Sequence, residues 1–214
     1  MDQQRPSALR KGFPIFISLA SALVAASATA HLQPLRGQLI DLIQRSDLVV
    51  IASVQSIAPL GTRKADVHVK IQSVILGKPP AASLSVRSFN DFGPDDRVVL
   101  LLHRTGKDWE SVAPSGVVFA CAQPDDSGYR ATIQAVNAAL HRPPAKRADA
   151  VRAALIPALT ASAEALRYQA ALELVALAHD GHGPTDRERR KLQELIGSAR
   201  LDPALQPLIS NLLH

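Results

Sequence analysis

Between Leu48 and Cys121 six short apolar-rich runs follow one another on connections too short to hold a crossover helix. That spacing excludes a sheet of parallel strands and calls for an antiparallel barrel or sandwich. Leu48 to Val54 is rich in β-branched residues and reads as a buried strand. Pro59 to Lys64 reads as a loop. Val67, Val69 and Ile71 then alternate with His68, Lys70 and Gln72, giving one dry and one wet face, with Val74 and Leu76 extending the strand. Gly77-Lys78-Pro79-Pro80 stops it. Ser83 to Ser88 alternates again, with Leu84 and Val86 on one face. Arg97 to His103 carries five consecutive apolar residues, the pattern of a central strand, and Thr105-Gly106-Lys107 marks a hairpin turn before Trp109 to Val112. Val117 to Cys121 completes the set.

A short helix is expected from Leu35 to Arg45, ahead of the first strand, and another from Arg130 to Leu140, after the last. His141-Arg142-Pro143-Pro144 breaks that second helix and is the preferred boundary between a β-rich part, residues 31–142, and a helical part, residues 143–214. Beyond it the composition shifts to alanine and leucine at three- and four-residue spacing. Helices are expected over Ala148 to Thr160 and Ala163 to Ala178. Thr185-Asp186-Arg187-Glu188 is a capping box that opens a third, because its Thr and Glu can satisfy each other's backbone donors. Asp202-Pro203 opens a fourth. The fold class expected is α+β, a small antiparallel barrel or sandwich followed by helical hairpins.

The first 30 residues have the three parts of a secretory signal peptide. Arg5, Arg10 and Lys11 charge the amino end, Phe13 to Ala26 is apolar, and Ala28-Thr29-Ala30 supplies small residues for cleavage after Ala30. The apolar run is shorter than the ~20 residues needed to span a bilayer, so stable membrane insertion is not expected. Cleavage leaves the 184 residues His31–His214, with a periplasmic or secreted address expected. Arg5, Arg10, Lys11 and Asp2 take +2 of the formal +5 with them and leave +3. So small a surplus, with only 4% aromatic residues, argues against nucleic acid as a partner. One cysteine, Cys121 in an apolar run, cannot form an internal disulfide, so the fold rests on its core.

Asp47-Leu48-Val49-Val50-Ile51-Ala52, Val74-Ile75-Leu76-Gly77-Lys78 and Val98 to Leu102 together resemble exported bacterial proteins whose domains are similar to the OB-like barrels of netrin modules and tissue inhibitors of metalloproteinases. The inhibitors hold a protease zinc with a disulfide-linked amino-terminal cysteine. This chain starts at His31 after cleavage and carries Cys121 alone, so that activity does not transfer. Leu155-Ile156-Pro157-Ala158-Leu159 followed by Ala165 to Leu174 resembles a HEAT repeat, in which a proline kinks the first helix and an arginine followed by paired alanines opens the second. The acidic residue usual in the turn is replaced here by Ala161 or Ser162, which leaves Arg167 without its usual support.

Chemistry-bearing residues are few. His179-Asp180-Gly181-His182-Gly183 places two imidazoles and a carboxylate within four residues, a set that zinc or copper accepts. After cleavage His31 adds a free amine beside its imidazole, a chelating pair for Cu(II). Asn90, Asp91, Asp95 and Asp96 gather oxygens suited to calcium, at a spacing that matches no known loop. His68 and His103-Arg104 stand without a nucleophile-bearing turn, and the chain has no Gly-Xaa-Ser-Xaa-Gly elbow, phosphate loop or His-Glu-Xaa-Xaa-His helix. Arg187, Arg189, Arg190 and Lys191 form a basic run interleaved with Asp186 and Glu188, readable as a solvated face or as a seat for an anionic partner. The expectation is an exported non-catalytic protein that binds a protein or peptide partner. The alternatives are a hydrolase with a scattered site, and a metal-binding protein using His179, Asp180, His182 and His31.

Overall fold

The computed structural model describes residues 39–61, 64–89, 92–113, 119–120, 126–198 and 200–214. The expected export signal, His31, Cys121, Asn90 and Asp91 lie outside them. The elements are α1 (Leu39–Gln44), β1 (Leu48–Pro59), β2 (Lys64–Leu76), β3 (Ser83–Phe89), β4 (Arg97–Thr105), β5 (Asp108–Ser111), β6 (Phe119–Ala120), α2 (Asp126–Leu140), α3 (Pro144–Leu155), a 3-10 turn (Ile156–Thr160), α4 (Glu164–His179), α5 (Asp186–Gly197) and α6 (Gln206–Asn211).

Five strands close a barrel in the order β1-β2-β3-β5-β4, with β1 returning to pair with β4. The order is compatible with an OB-like barrel, and helices follow it. One pair departs from the antiparallel expectation: β3 and β5 run parallel. No crossover helix is needed, because β4 carries the chain back and the Gly106 hairpin, with φ at +65°, folds β5 in between β4 and β3.

The apolar runs are long because two strands are buried on both faces. Leu48, Val50 and Ala52 of β1 and Val98, Leu100 and Leu102 of β4 fill the barrel with Val67, Val69 and Val86. Their alternate neighbours Val49, Ile51, Val99 and Leu101 belong to a second core, shared with Leu39, Leu42 and Ile43 of α1 and Tyr129, Ile133 and Val136 of α2. Strands covered on both sides read as continuous hydrophobic runs rather than alternating ones. Within β2 the inward face shifts partway along. Val67 and Val69 point in, yet Ile75 joins the outer core. The pairing skips Gln72, since Ala52 faces Ile71 while Ile51 faces Ser73, and one inserted residue reverses the side chains that follow it, up to a second shift at Ile75. Arg97 Nε donates to the Gln72 side-chain oxygen at this bulge. Beyond it α2 is stitched to the strand: Arg130 Nη1 donates to the Val74 carbonyl at 2.8 Å.

Gly77, with φ at +79°, closes β2 against the start of β1, where an added Cβ would meet the Asp47 carbonyl oxygen at 2.3 Å. Only glycine combines that backbone angle with that approach.

The outer core runs on without a break through Val151 and Leu155 of α3, Leu166 and Leu174 of α4, Leu192 of α5 and Ile209 of α6. The helix expected over Ala148 to Thr160 begins earlier, at Pro144, and changes to 3-10 geometry at Ile156. Pro157 lacks the amide that would continue the α-helical ladder. Asp202-Pro203 does not open a helix as expected: Asp202 accepts the Ala204 amide at 3.0 Å within a single turn, and α6 starts only at Gln206, with Leu205 at its N-cap and no side-chain cap. Arg167 finds its support elsewhere than the turn's missing acid. It donates to the carbonyls of Ala161 and Ser162 at 2.9 and 2.8 Å and to Asp202 Oδ2 at 3.0 Å.

No helix among the described residues is long and apolar enough to cross a membrane.

Candidate interaction surface

The His179–Gly183 segment is built as a helix end. Gly181 takes φ at +82°, the His182 amide donates to the Leu177 carbonyl at 2.8 Å and the Gly181 amide to that of Ala178 at 3.1 Å. Those two bonds make a Schellman cap, the commonest use of glycine after a helix. The His179 and Asp180 side chains are exposed, with Nδ1 3.5 Å from Oδ1. His182 is held by its backbone, whose carbonyl accepts from Arg152 Nη1 at 3.1 Å. His31 lies outside the described residues, and among those no three His, Cys, Asp or Glu side chains are arranged to hold a metal ion.

Arg152 has no signature of its own in the sequence. It resembles one more solvating charge on an alanine-rich helix, but it is 3% exposed. Its guanidinium reaches Glu188 Oε2 at 3.1 Å and Asp149 Oδ1 at 2.7 Å. Glu188 Oε2 also accepts from the Thr185 amide at 2.8 Å, so the capping box of α5 doubles as the anchor for α3. The signal was present in the capping box, whose Glu needs a cation once it is half-buried.

On the barrel, register assembles what sequence separation hides. The β1–β4 wall is covered by helices, whereas the β2–β3–β5 wall turns its outer side chains to solvent: His68, Lys70, Ser83, Ser85, Arg87 and Asp108 are all exposed. Asp66 faces Arg87, Arg87 faces Glu110, and Glu110 faces His103. Four strands at a spacing of about 4.8 Å make this row about 14 Å wide. Charges of opposite sign face each other along Asp66, Arg87 and Glu110. Arg87 lies 3.9 Å from Asp66, 3.3 Å from Glu110 and 3.6 Å from Asp108. His103 Nε2 sits 3.9 Å from Glu110 Oε2 and 3.0 Å from Thr105 Oγ1. Exposed pairs of this kind add about 0–1 kcal/mol each to stability. Their larger effect is on what can approach, since a fixed pattern of signs admits a complementary surface and repels a mismatched one. With Lys64 and Lys70 balancing the excess acid, the wall has no net positive field for a phosphate backbone.

No protein-family model matches the chain, and no curated protein matches it.

Proposed function

We propose that this is an exported, non-catalytic interaction protein, periplasmic or secreted, that docks a protein partner on the β2–β3–β5 wall of its barrel. One observation carries the reading: among the described residues helices cover the barrel on its β1–β4 side, and the solvent-facing strands bear the ordered row Asp66–Arg87–Glu110–His103. Helices layered on the opposite wall hold the barrel rigid, which lowers the entropy lost when a partner binds. The α3–α4 hairpin, with its break at Pro157 and with Arg167 bonded to the turn carbonyls, supports a HEAT-like unit as the second half of the molecule. The resemblance to exported bacterial barrels and the amino-terminal signal pattern support the address.

The test is a charge exchange. Arg87→Glu with Glu110→Arg keeps an opposite-charge pair across the two strands, sets like charges at Asp66 and Asp108, and inverts the polarity offered to a partner, so an unchanged thermal melt first establishes that the fold is kept. Immobilised wild-type protein is expected to retain a protein from the exported fraction that elutes with salt and that the exchanged protein does not retain. Equal retention by the two would overturn the proposal.

A further inference from the structure

The basic run of α5 is divided by the fold into two uses. Arg189 is spent internally, its Nε donating to the Pro184 carbonyl at 3.2 Å and its Nη1 to the Leu213 carbonyl at 2.8 Å. Lys191 instead lines a groove of about 450 Å³ between the 3-10 turn and α5, within the usual range for ligand sites. Ile156, Pro157 and Leu195 give the groove an apolar lining, and Arg200 adds a second cation. Glu194 is the single carboxylate in the lining. Lys191 and Arg200 are exposed, and neither has an ion-pair partner among the described residues, in contrast to Arg87 with its three carboxylates. Arg187 and Arg190 stand exposed on the same helix and extend the positive field around the groove.

We propose that this groove docks an acidic peptide segment of a partner protein, its carboxylate held by Lys191 and Arg200 and an apolar side chain laid against Ile156, Pro157 and Leu195. Charge complementarity selects the occupant: two unpaired cations beside an apolar lining suit an acid next to an apolar residue. An anionic membrane surface fits less well. A helix that lies in a bilayer interface needs a wide apolar face free, and α5 has little of its own left, with Leu192 fully buried, Ile196 packed against the core and Leu195 set in the groove between charged residues. The inference extends the protein-partner reading to a second surface and rests on that reading only in taking the ligand to be a protein segment.

Fluorescence anisotropy with labelled peptides tests it. The probe is a short peptide that alternates Asp or Glu with Leu, and the control has the same order with Asn and Gln for the acids. The full chain is expected to bind the acidic peptide saturably, to bind it more weakly at high salt, and to ignore the neutral one. Lys191→Glu and Arg200→Glu should each weaken binding by about tenfold or more, the scale expected when one charge-assisted hydrogen bond is removed. Both sites are exposed, so an unchanged thermal melt identifies variants that have kept their fold. Arg87→Glu should leave this binding unchanged, which separates the groove from the barrel wall. Failure to bind the acidic peptide, equal binding of the neutral one, or full binding by the Lys191→Glu/Arg200→Glu double variant would overturn the proposal. So would anionic phosphatidylglycerol vesicles that bind more tightly than the peptide.

Discussion

Glu173, in the middle of α4, accepts the backbone amide of Ile40 at 3.0 Å across 133 residues of chain. The hydrogen bond ties the helical layer to the helix that leads into the barrel. Glu173 is 3% exposed, and burial pushes its carboxyl above the usual value of 4.5; the amides of Ile40 and Leu39 pull the other way, and Asp41 adds a smaller upward push. A carboxyl whose folded value is raised holds its proton after the unfolded chain has released its own. Stability from this group is therefore complete below pH 4.5 and declines as pH rises above that through the folded value. Glu173→Gln keeps an acceptor for Ile40 and removes the titration, so urea midpoints measured from pH 4 to 8 should fall less steeply than in wild type. Glu173→Ala should cost about 1 kcal/mol by removing the acceptor of a part-buried amide. Parallel pH curves for Gln and wild type would contradict this.

Asp202 carries the opposite sign. The Ala204 amide, and after it Arg167, holds its carboxyl below the usual 3.8. That stability is present above pH 3.8 and is lost as pH falls below it. Asp202→Asn should flatten the acid limb of the stability curve at pH 2–4 and leave the slope above pH 5 alone, as thermal melts across that range would show.

Arg152 and Arg45 make a matched comparison. Arg152 is buried among Glu188, Asp149 and the His182 carbonyl, whereas Arg45 and Asp41 are 57% and 59% exposed in their side chains. Removing one partner of a buried pair strands the other, so Arg152→Ala should cost about 3–5 kcal/mol. Arg45→Ala should cost less than about 1 kcal/mol. Equilibrium urea unfolding measures both, and similar values would contradict the role given to Arg152.

Two glycines with left-handed backbones should differ in the same way. At Gly106 nothing lies within 4 Å of an added Cβ, so Gly106→Ala should cost only the backbone strain, about 1–2 kcal/mol. At Gly77 the Asp47 carbonyl adds a steric clash, and Gly77→Ala should be the more destabilising by a clear margin in thermal melts.

The strands were legible because burial leaves a pattern. The runs at Leu48 to Val54 and Val98 to Leu102 mark strands covered on both faces, and Leu84 and Val86 mark a strand with one face wet. The Thr185–Glu188 box was legible because capping is local. The parallel β3–β5 pair was not, since it depends on where the Gly106 hairpin lands, and the shift at Gln72 depends on the register with β1. The charged row was hidden for the same reason. Arg87 and Glu110 lie 23 residues apart and meet only through strand pairing. The His179–Gly183 cluster shows the converse: residues adjacent in sequence and suited to a metal are here shaped by the chain reversal at the end of α4.

Whether a protein partner binds the β2–β3–β5 wall of the barrel can be read by site-specific photo-crosslinking. The reactive group is placed at Ser85, exposed on β3 beside Arg87, or at Ala135, exposed on α2 away from the groove of α5. A partner on that wall should give one discrete protein adduct from Ser85 in the exported fraction, absent when Arg87→Glu is added, and no adduct from Ala135. An empty lane from Ser85, or the same adduct from Ala135, would contradict it.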